Sequence, residues 1–433
     1  MNIDRFKNYE PDLRDLVLAF EKQQDSYSRF FDVDQIEIIA DYYLESCDVE
    51  GLKAVVEYGE QLYPDNSAIR LRRTHLLSIQ GDYTQALKLL KDLESCEPEN
   101  TDVCYALANI YSMTDHSQEA VDYYLKAAAD GYELDMIYGN IADEYYKQGM
   151  TADAVRYYRL SISVNPDEER SLYNLAYIWE EQGRAEKAVD FFNKHILDHP
   201  YSKGAWYALG CTYTWLSLYE KGADAFEYAV AIDKNHFNAY LGLSNCYRYM
   251  GDIPRAVGVL HDSLQCASDR PFVFHSMGRL YMEAGNPHAA SAYFHDALKE
   301  DPSYAPAWND LGRCCEYLGC DDEAAGYYRR AVILQPDVDE HWLCLTDLYI
   351  RLDRFSEAAA LLESARAEVS DQFAFDSRLI YCYYKLGRRN RLFSLLNQNA
   401  VRYASFYRTL FALYPELSSD MEIVNQINIL TQK

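Results

Sequence analysis

The segment AWYALGCTY (residues 205–213) has two echoes further along the chain, APAWNDLGRCC (305–315) and EHWLCLTDLY (340–349). Their tryptophans, Trp206, Trp308 and Trp342, lie whole multiples of 34 residues apart. An internal period outranks any local motif as a guide to fold, because one repeated unit then fixes the whole chain. Starts at 203, 237, 271, 305 and 339 align without a gap. The same step runs back to 169, 135, 101, 67 and 33 and forward to 373, giving eleven units in register over 33–406.

Each recurring position has a physical meaning. Large apolar residues occupy the fourth and seventh places (Trp206 and Leu209, Trp308 and Leu311, Trp342 and Leu345). A small residue follows at the eighth (Ala108, Ala142, Ala176, Gly210, Gly278, Gly312), and an aromatic at the eleventh (Tyr111, Tyr145, Trp179, Tyr213, Tyr247, Tyr281). Spacings of three and four put these on one helix face, where the small residue lets a second helix come close. Glycine at the fifteenth place in seven units, among them Gly149, Gly183, Gly285 and Gly319, ends the first helix. The second helix carries alanine at the twentieth place (Ala86, Ala154, Ala290, Ala358) and an aromatic or leucine at the twenty-fourth (Tyr158, Phe192, Phe226, Phe294, Tyr328). Proline at the thirty-second place (Pro98, Pro166, Pro200, Pro302, Pro336) stops the chain before the next unit.

The pattern predicts an all-α solenoid of tandem helix–turn–helix units. It resembles the tetratricopeptide repeat family, whose W-LG-Y, A, F and P signature falls at these places. The resemblance implies a right-handed superhelix whose first helices line a concave groove. Departures are Arg70 and Arg73 at the apolar places of the second unit, Gly222 for alanine in the sixth, SDRP (268–271) within the seventh, and Leu52 and Leu392 for alanine at the ends. Terminal repeats need caps, because no neighbour covers their apolar face. Residues 1–32 are expected to cap the start, through Leu13, Leu16, Val17 and Phe20. Residues 407–433 are expected to form a degenerate repeat with Ile423, Val424, Ile427 and Leu430, serving as a cap or as a self-association face.

Composition narrows the function classes. The 433 residues carry 68 acids against 41 bases, a formal charge of −27. Repulsion over most of the surface argues against nucleic acid and anionic membranes. No apolar run approaches a membrane span, and MNIDRFKNYEPDLRDLVLAF has no secretory signal pattern, so a cytoplasmic location is expected. The eleven scattered cysteines read as reduced thiols. Three of them crowd GRCCEYLGC (312–320). Cys314 and Cys315 fall at the tenth and eleventh places of their unit and read as small buried fillers, with Cys320 in the turn.

No phosphate loop, dinucleotide fingerprint, nucleophile elbow or zinc-protease motif occurs, and no residues remain for a separate catalytic domain. The chain is therefore expected to be neither an enzyme nor a cofactor binder. HILDH (195–199) places His195 and His199 one turn apart, two ligands short of an ordinary zinc site.

Interaction is the expected function: an adaptor or scaffold holding a partner peptide or protein in the groove. The alternative is a structural subunit of a homo- or hetero-oligomer. The family's clamp for a terminal carboxylate implies candidates Asn109, Asn140 and Arg170, but Tyr105 and Asn174 replace two of its bases. A carboxylate there would lose two charge-assisted bonds of about 1.5–3 kcal/mol each. A second cluster puts Asn245, Arg279 and Arg313 at successive ninth places, with Arg248 and His275 on neighbouring groove positions. Arginines aligned in so acidic a chain suit an acidic segment or a C-terminal carboxylate, since the planar fork bonds both oxygens. Against this, Glu283 and Glu316 stand four and three residues after Arg279 and Arg313, close enough for ion pairs within each helix.

Overall fold

The computed structural model describes residues 11–23, 30–131, 133–366, 371–402 and 406–431. Much of the expected N-terminal cap, and the Leu430 side chain, lie outside them. The described residues contain helices and no strand. Two compact units divide the chain, 1–217 and 218–433.

The first unit begins with α1 (Pro11–Gln23), α2 (Val33–Glu45), α3 (Val49–Leu62), α4 (Ser67–Ile79), α5 (Tyr83–Cys96) and α6 (Thr101–Met113). It continues with α7 (Ser117–Ala127), α8 (Leu134–Lys147), α9 (Thr151–Val164), α10 (Glu169–Glu181), α11 (Ala185–Asp198) and α12 (Lys203–Trp215). The second holds α13 (Tyr219–Ile232), α14 (Phe237–Tyr249), α15 (Ile253–Ser263), α16 (Arg270–Glu283), α17 (Pro287–Glu300) and α18 (Ala305–Leu318). After these come α19 (Asp321–Leu334), α20 (Asp339–Arg351), α21 (Phe355–Ala365), α22 (Gln372–Lys385), α23 (Arg389–Arg402), α24 (Phe406–Leu413) and α25 (Met421–Thr431). Apart from the eight-residue α24, helices of 11–14 residues pair through two- or three-residue turns into successive hairpins within each unit, an all-α solenoid.

One backbone feature recurs in every repeat. The fifteenth place is left-handed in all eleven units, not only where glycine stands. Cys47 (φ 55°), Asp115 (60°), Ser217 (59°) and Asp353 (57°) take the same conformation as Gly81, Gly149 and Gly319. The short turn dictates the sign of φ, and packing on either side enforces it against residue preference. Cys47 has neither glycine's freedom nor aspartate's local hydrogen bonding, so Cys47→Gly is expected to raise stability by about 1 kcal/mol. The check is a shift of the urea midpoint by circular dichroism; no rise would mean that this turn costs the cysteine nothing.

The eighth and twenty-fourth places fit together. A methyl group at Gly312 would lie 2.5 Å from the Tyr328 ring, and one at Gly278 would lie 2.4 Å from the Phe294 ring. Tyr328 and Phe294 are fully buried. The repeated demand for tyrosine has a further cause, since the buried hydroxyls at this place donate to the first helix of the same hairpin. Tyr124 donates to Asn109 at 2.6 Å, Tyr158 to Asp143, and Tyr328 to Glu316. Tryptophan at the fourth place is likewise tied to the proline that precedes it. The indole Nε1 atoms of Trp206, Trp308 and Trp342 donate to the carbonyls of Pro200, Pro302 and Pro336 at 3.0, 3.0 and 2.7 Å.

Apolar side chains of α1 and of the tail are buried. Val17 and Phe20 of α1 are buried, and Phe20 meets Phe31 and Tyr58 edge-on at 5.8 and 5.6 Å. In the tail, Leu410, Leu417, Ile423 and Ile427 join the core that contains Leu392 and Leu396. Ile423 and Ile427 of α25 are buried there, and Met421 and Ile429 are exposed. Leu52 and Leu392, where alanine was expected, are fully buried without interrupting their helices. Arg73 reaches Glu60 at 3.8 Å, and the neighbouring Ile69 and Leu76 fill the core in place of Arg70 and Arg73.

Of the crowded cysteines, Cys314 is buried, with Sγ 3.3 Å from the Met282 sulfur, and burial pushes its thiol up to about 12. Cys315 departs from expectation. It is only half-buried and faces the turn, 4.0 Å from Glu323 Oε2, since its place opens toward the start of α19.

Candidate functional site

In the second unit the ninth places of α16 and α18 open onto a cavity of about 640 Å³. Arg279, Arg313 and Arg351 line it together with Glu283, Asp310 and Tyr317. The anticipated pairs Arg279–Glu283 and Arg313–Glu316 are not formed, although Arg313 meets Asp310 of its own helix. Glu283 turns to Arg248 of α14 at 3.4 Å, and Glu316 to Arg351 of α20 at 2.9 Å. Neighbouring first helices bring donors and acceptors within reach of one another at spacings of 27, 31 or 35 residues. Arg72–Asp41 and Arg378–Asp347 show the spacing of 31.

At that spacing Arg279 faces Asp310, but Asp310 is already engaged. Its Oδ2 lies 2.9 Å from His275 Nε2, and its Oδ1 lies 3.5 Å from Arg313. Arg313 adds Glu340 at 3.0 Å, and Arg351 adds Asp321 at 2.7 Å. Burial works to lower the Arg313 pKa, and Cys344, Asp310 and Glu340 together raise it. Arg279 is exposed and has no ion pair with any described residue.

His275 departs from its expected place on the groove surface. It is buried between Phe294 and Tyr304, with ring centroids 5.4 and 5.5 Å away, and holds Asp310 instead. Arg248 lies over the Tyr249 ring at 4.2 Å, so two groups occupy it, and Asn245 is exposed on the same helix. Sequence reasoning missed Asp310, Tyr317 and Arg351. The register itself could have found Asp310, because it stands 31 residues after Arg279.

The other three candidates gather in the first unit. Asn140 accepts from Arg170 at 2.8 Å and donates to the Tyr105 hydroxyl at 3.2 Å. Arg170 also meets Asp143 at 3.3 Å, and Asn109 accepts from Tyr124. Tyr105, which replaces a clamp base, thus closes the network through Asn140, leaving no array of free donors for a carboxylate. His195 and His199 have ring centroids 4.8 Å apart, but His195 Nε2 is 2.8 Å from the Pro166 carbonyl. No cluster of three or more His, Cys, Asp or Glu able to hold a metal occurs among the described residues. No described helix is long and apolar enough to cross a membrane.

Comparison with known proteins adds three findings. Residues 140–205 and 275–339 match one model of the tetratricopeptide repeat, and residues 101–129 match a second. No curated protein matches the sequence. Among solved structures, the chain is similar to one from the crystal structure of the APC/C hetero-tetramer Cut9–Hcn1, at 14% identity over 97% of this chain and 93% of that one, TM-score 0.35. It is also similar to a tetratricopeptide repeat protein from Parabacteroides merdae, at 19% identity over 58% of this chain and 96% of that one, TM-score 0.37.

Proposed function

We propose that this chain, which belongs to the tetratricopeptide repeat family, is a scaffold that binds another protein and docks an acidic part of it against Arg279 and Arg313. The family's role as an interaction surface supports the coarser half of this reading. The finer half rests on one observation: Arg279 is exposed beside the cavity with no ion pair among the described residues, while its register partner is held by His275. A carboxylate entering the cavity would supply the missing partner and could share Arg313, whose contact with Asp310 is long at 3.5 Å. Catalysis has no part in the proposal.

The test uses a fluorescein-labelled peptide of alternating glutamate and glycine, once with a free C-terminus and once amidated, read by polarisation against the full chain. Arg279→Glu with Arg313→Glu is expected to weaken binding at least about 100-fold, from two charge-assisted bonds of about 1.5–3 kcal/mol each. The helical spectrum should not change. A preference for the free C-terminus would identify a terminal carboxylate as the ligand, and equal binding of both forms an internal acidic segment. Unchanged affinity in the double variant would overturn the proposal.

A further inference from the structure

The charge of the chain is unevenly shared. Residues 1–217 carry 39 acids and 20 bases, a formal net of −19; residues 218–433 carry 29 and 21, a net of −8. The unit with the exposed arginine is thus the less acidic one, and the other unit presents a field that draws cations.

That first unit has its own cavity, of about 600 Å³, between α6, α8 and α10. Tyr146, Tyr158, Tyr173 and Tyr177 line it, and Trp215 stands 6.0 Å from Tyr173 and 6.3 Å from Tyr177. Glu144 also lines it, with a side chain only 2% exposed. Its Oε1 accepts from Lys147 at 2.6 Å and from Ser112 at 2.5 Å. Its Oε2 is buried and has no partner with hydrogen-bond geometry. Burial alone would raise the Glu144 pKa, but the bonds from Lys147 and Ser112, with the Ser117 hydroxyl near the carboxylate though outside hydrogen-bond geometry, hold it below the usual value, so the group is an anion at neutral pH.

A buried carboxylate whose second oxygen has no well-formed hydrogen bond is costly and rare, and beside a cavity it favours a cationic guest. The cations already present are engaged: Arg170 with Asp143 and Asn140, and Lys147 with Glu144 and Ser112. Lys147 is 48% exposed and has room to turn outward as a guest arrives. Tyrosine faces around an anion favour a cationic guest over a neutral one, since the ring quadrupole and the carboxylate attract the same charge.

We propose that this cavity binds a basic side chain, lysine or arginine, of a partner segment, with the Glu144 carboxylate as its counter-charge and the Tyr173 and Tyr177 rings as its walls. Together with the arginine site, this gives the scaffold two pockets of opposite preference, one in each unit. The two sites share no residue, and neither proposal depends on the other.

The experiment uses the full chain and an acetylated, amidated, fluorescein-labelled nonapeptide carrying three lysines spaced by glycine and serine, with a norleucine counterpart, at physiological ionic strength. Wild type is expected to bind the lysine peptide at least 10-fold more tightly. Glu144→Gln should reduce that preference to 3-fold or less, and Tyr177→Ala, a partly exposed position, should reduce it at least 5-fold. Glu119→Gln, the same charge change at an exposed site on α7, should leave it intact. Arg279→Glu with Arg313→Glu should also leave it intact, which separates failure here from failure of the acidic site. Equal losses in Glu144→Gln and Glu119→Gln would mean diffuse attraction only and would overturn the site, as would the absence of any lysine preference. Should Glu144→Gln fail to fold, an unchanged preference in Tyr177→Ala would do the same.

Discussion

Tyr328→Ala is expected to destabilise the second unit by about 4 kcal/mol, within the range of 3–5 for emptying the site of a buried aromatic side chain. The ring is fully buried, rests on the Gly312 backbone, and its hydroxyl donates to Glu316. Truncation would leave a cavity at the centre of a hairpin and deprive a carboxylate that also holds Arg351. Tyr328→Phe separates the two contributions. It keeps the volume and loses only the bond to a charged acceptor, about 1.5–3 kcal/mol. Because a repeat array need not unfold as one cooperative block, the suitable measurement is amide hydrogen exchange across residues 305–334. Faster exchange in α18 and α19 that declines with distance is the expected pattern; protection equal to wild type in the alanine variant would refute the assignment.

Gly312→Val approaches the same contact from the other side. The first added carbon would already lie 2.5 Å from the Tyr328 ring, well inside van der Waals contact, and two methyl groups follow. Overpacking of this kind typically costs about 1–3 kcal/mol, and the upper end is expected because a fully buried ring has nowhere to go. Combining Gly312→Ala with Tyr328→Leu should cost less than the sum of the two single changes, because the smaller partner relieves the clash. Additive losses in the same exchange measurement would show that the eighth and twenty-fourth places are not coupled. The Arg313 side chain is adjacent in sequence, so a displaced α18 should also weaken binding of the glutamate peptide.

The recurrent positions were legible in the sequence because each has a local physical cause. Glycine at the fifteenth place, proline at the thirty-second and the small residue at the eighth are steric requirements that any one unit states for itself. The left-handed turn at Cys47, Asp115, Ser217 and Asp353 was not legible, because no side chain there announces it. Only the packed helices on either side impose it. Candidate site residues were legible as positions on a helix face, but not as free or engaged groups. His275 read as a groove residue and is instead a buried partner of Asp310. Asn140 and Arg170 read as possible ligand contacts and are bonded to one another.

The period of 34 by itself determined the fold class and the phase of the helices, because helix amphipathicity and turn chemistry act over a few residues and repeat with the sequence. It also placed Arg279 and Arg313 on one inner face. Which charges are spent was decided only in three dimensions, where an arginine pairs with the carboxylate that the neighbouring helix brings within about 3 Å. Glu283 goes to Arg248, Glu316 to Arg351, and Asp310 to His275 and Arg313. Arg279 is left over because the register places before it an acid that is already taken. Glu144 is the mirror case, an acid whose second oxygen the folded helices bury without a well-formed hydrogen bond.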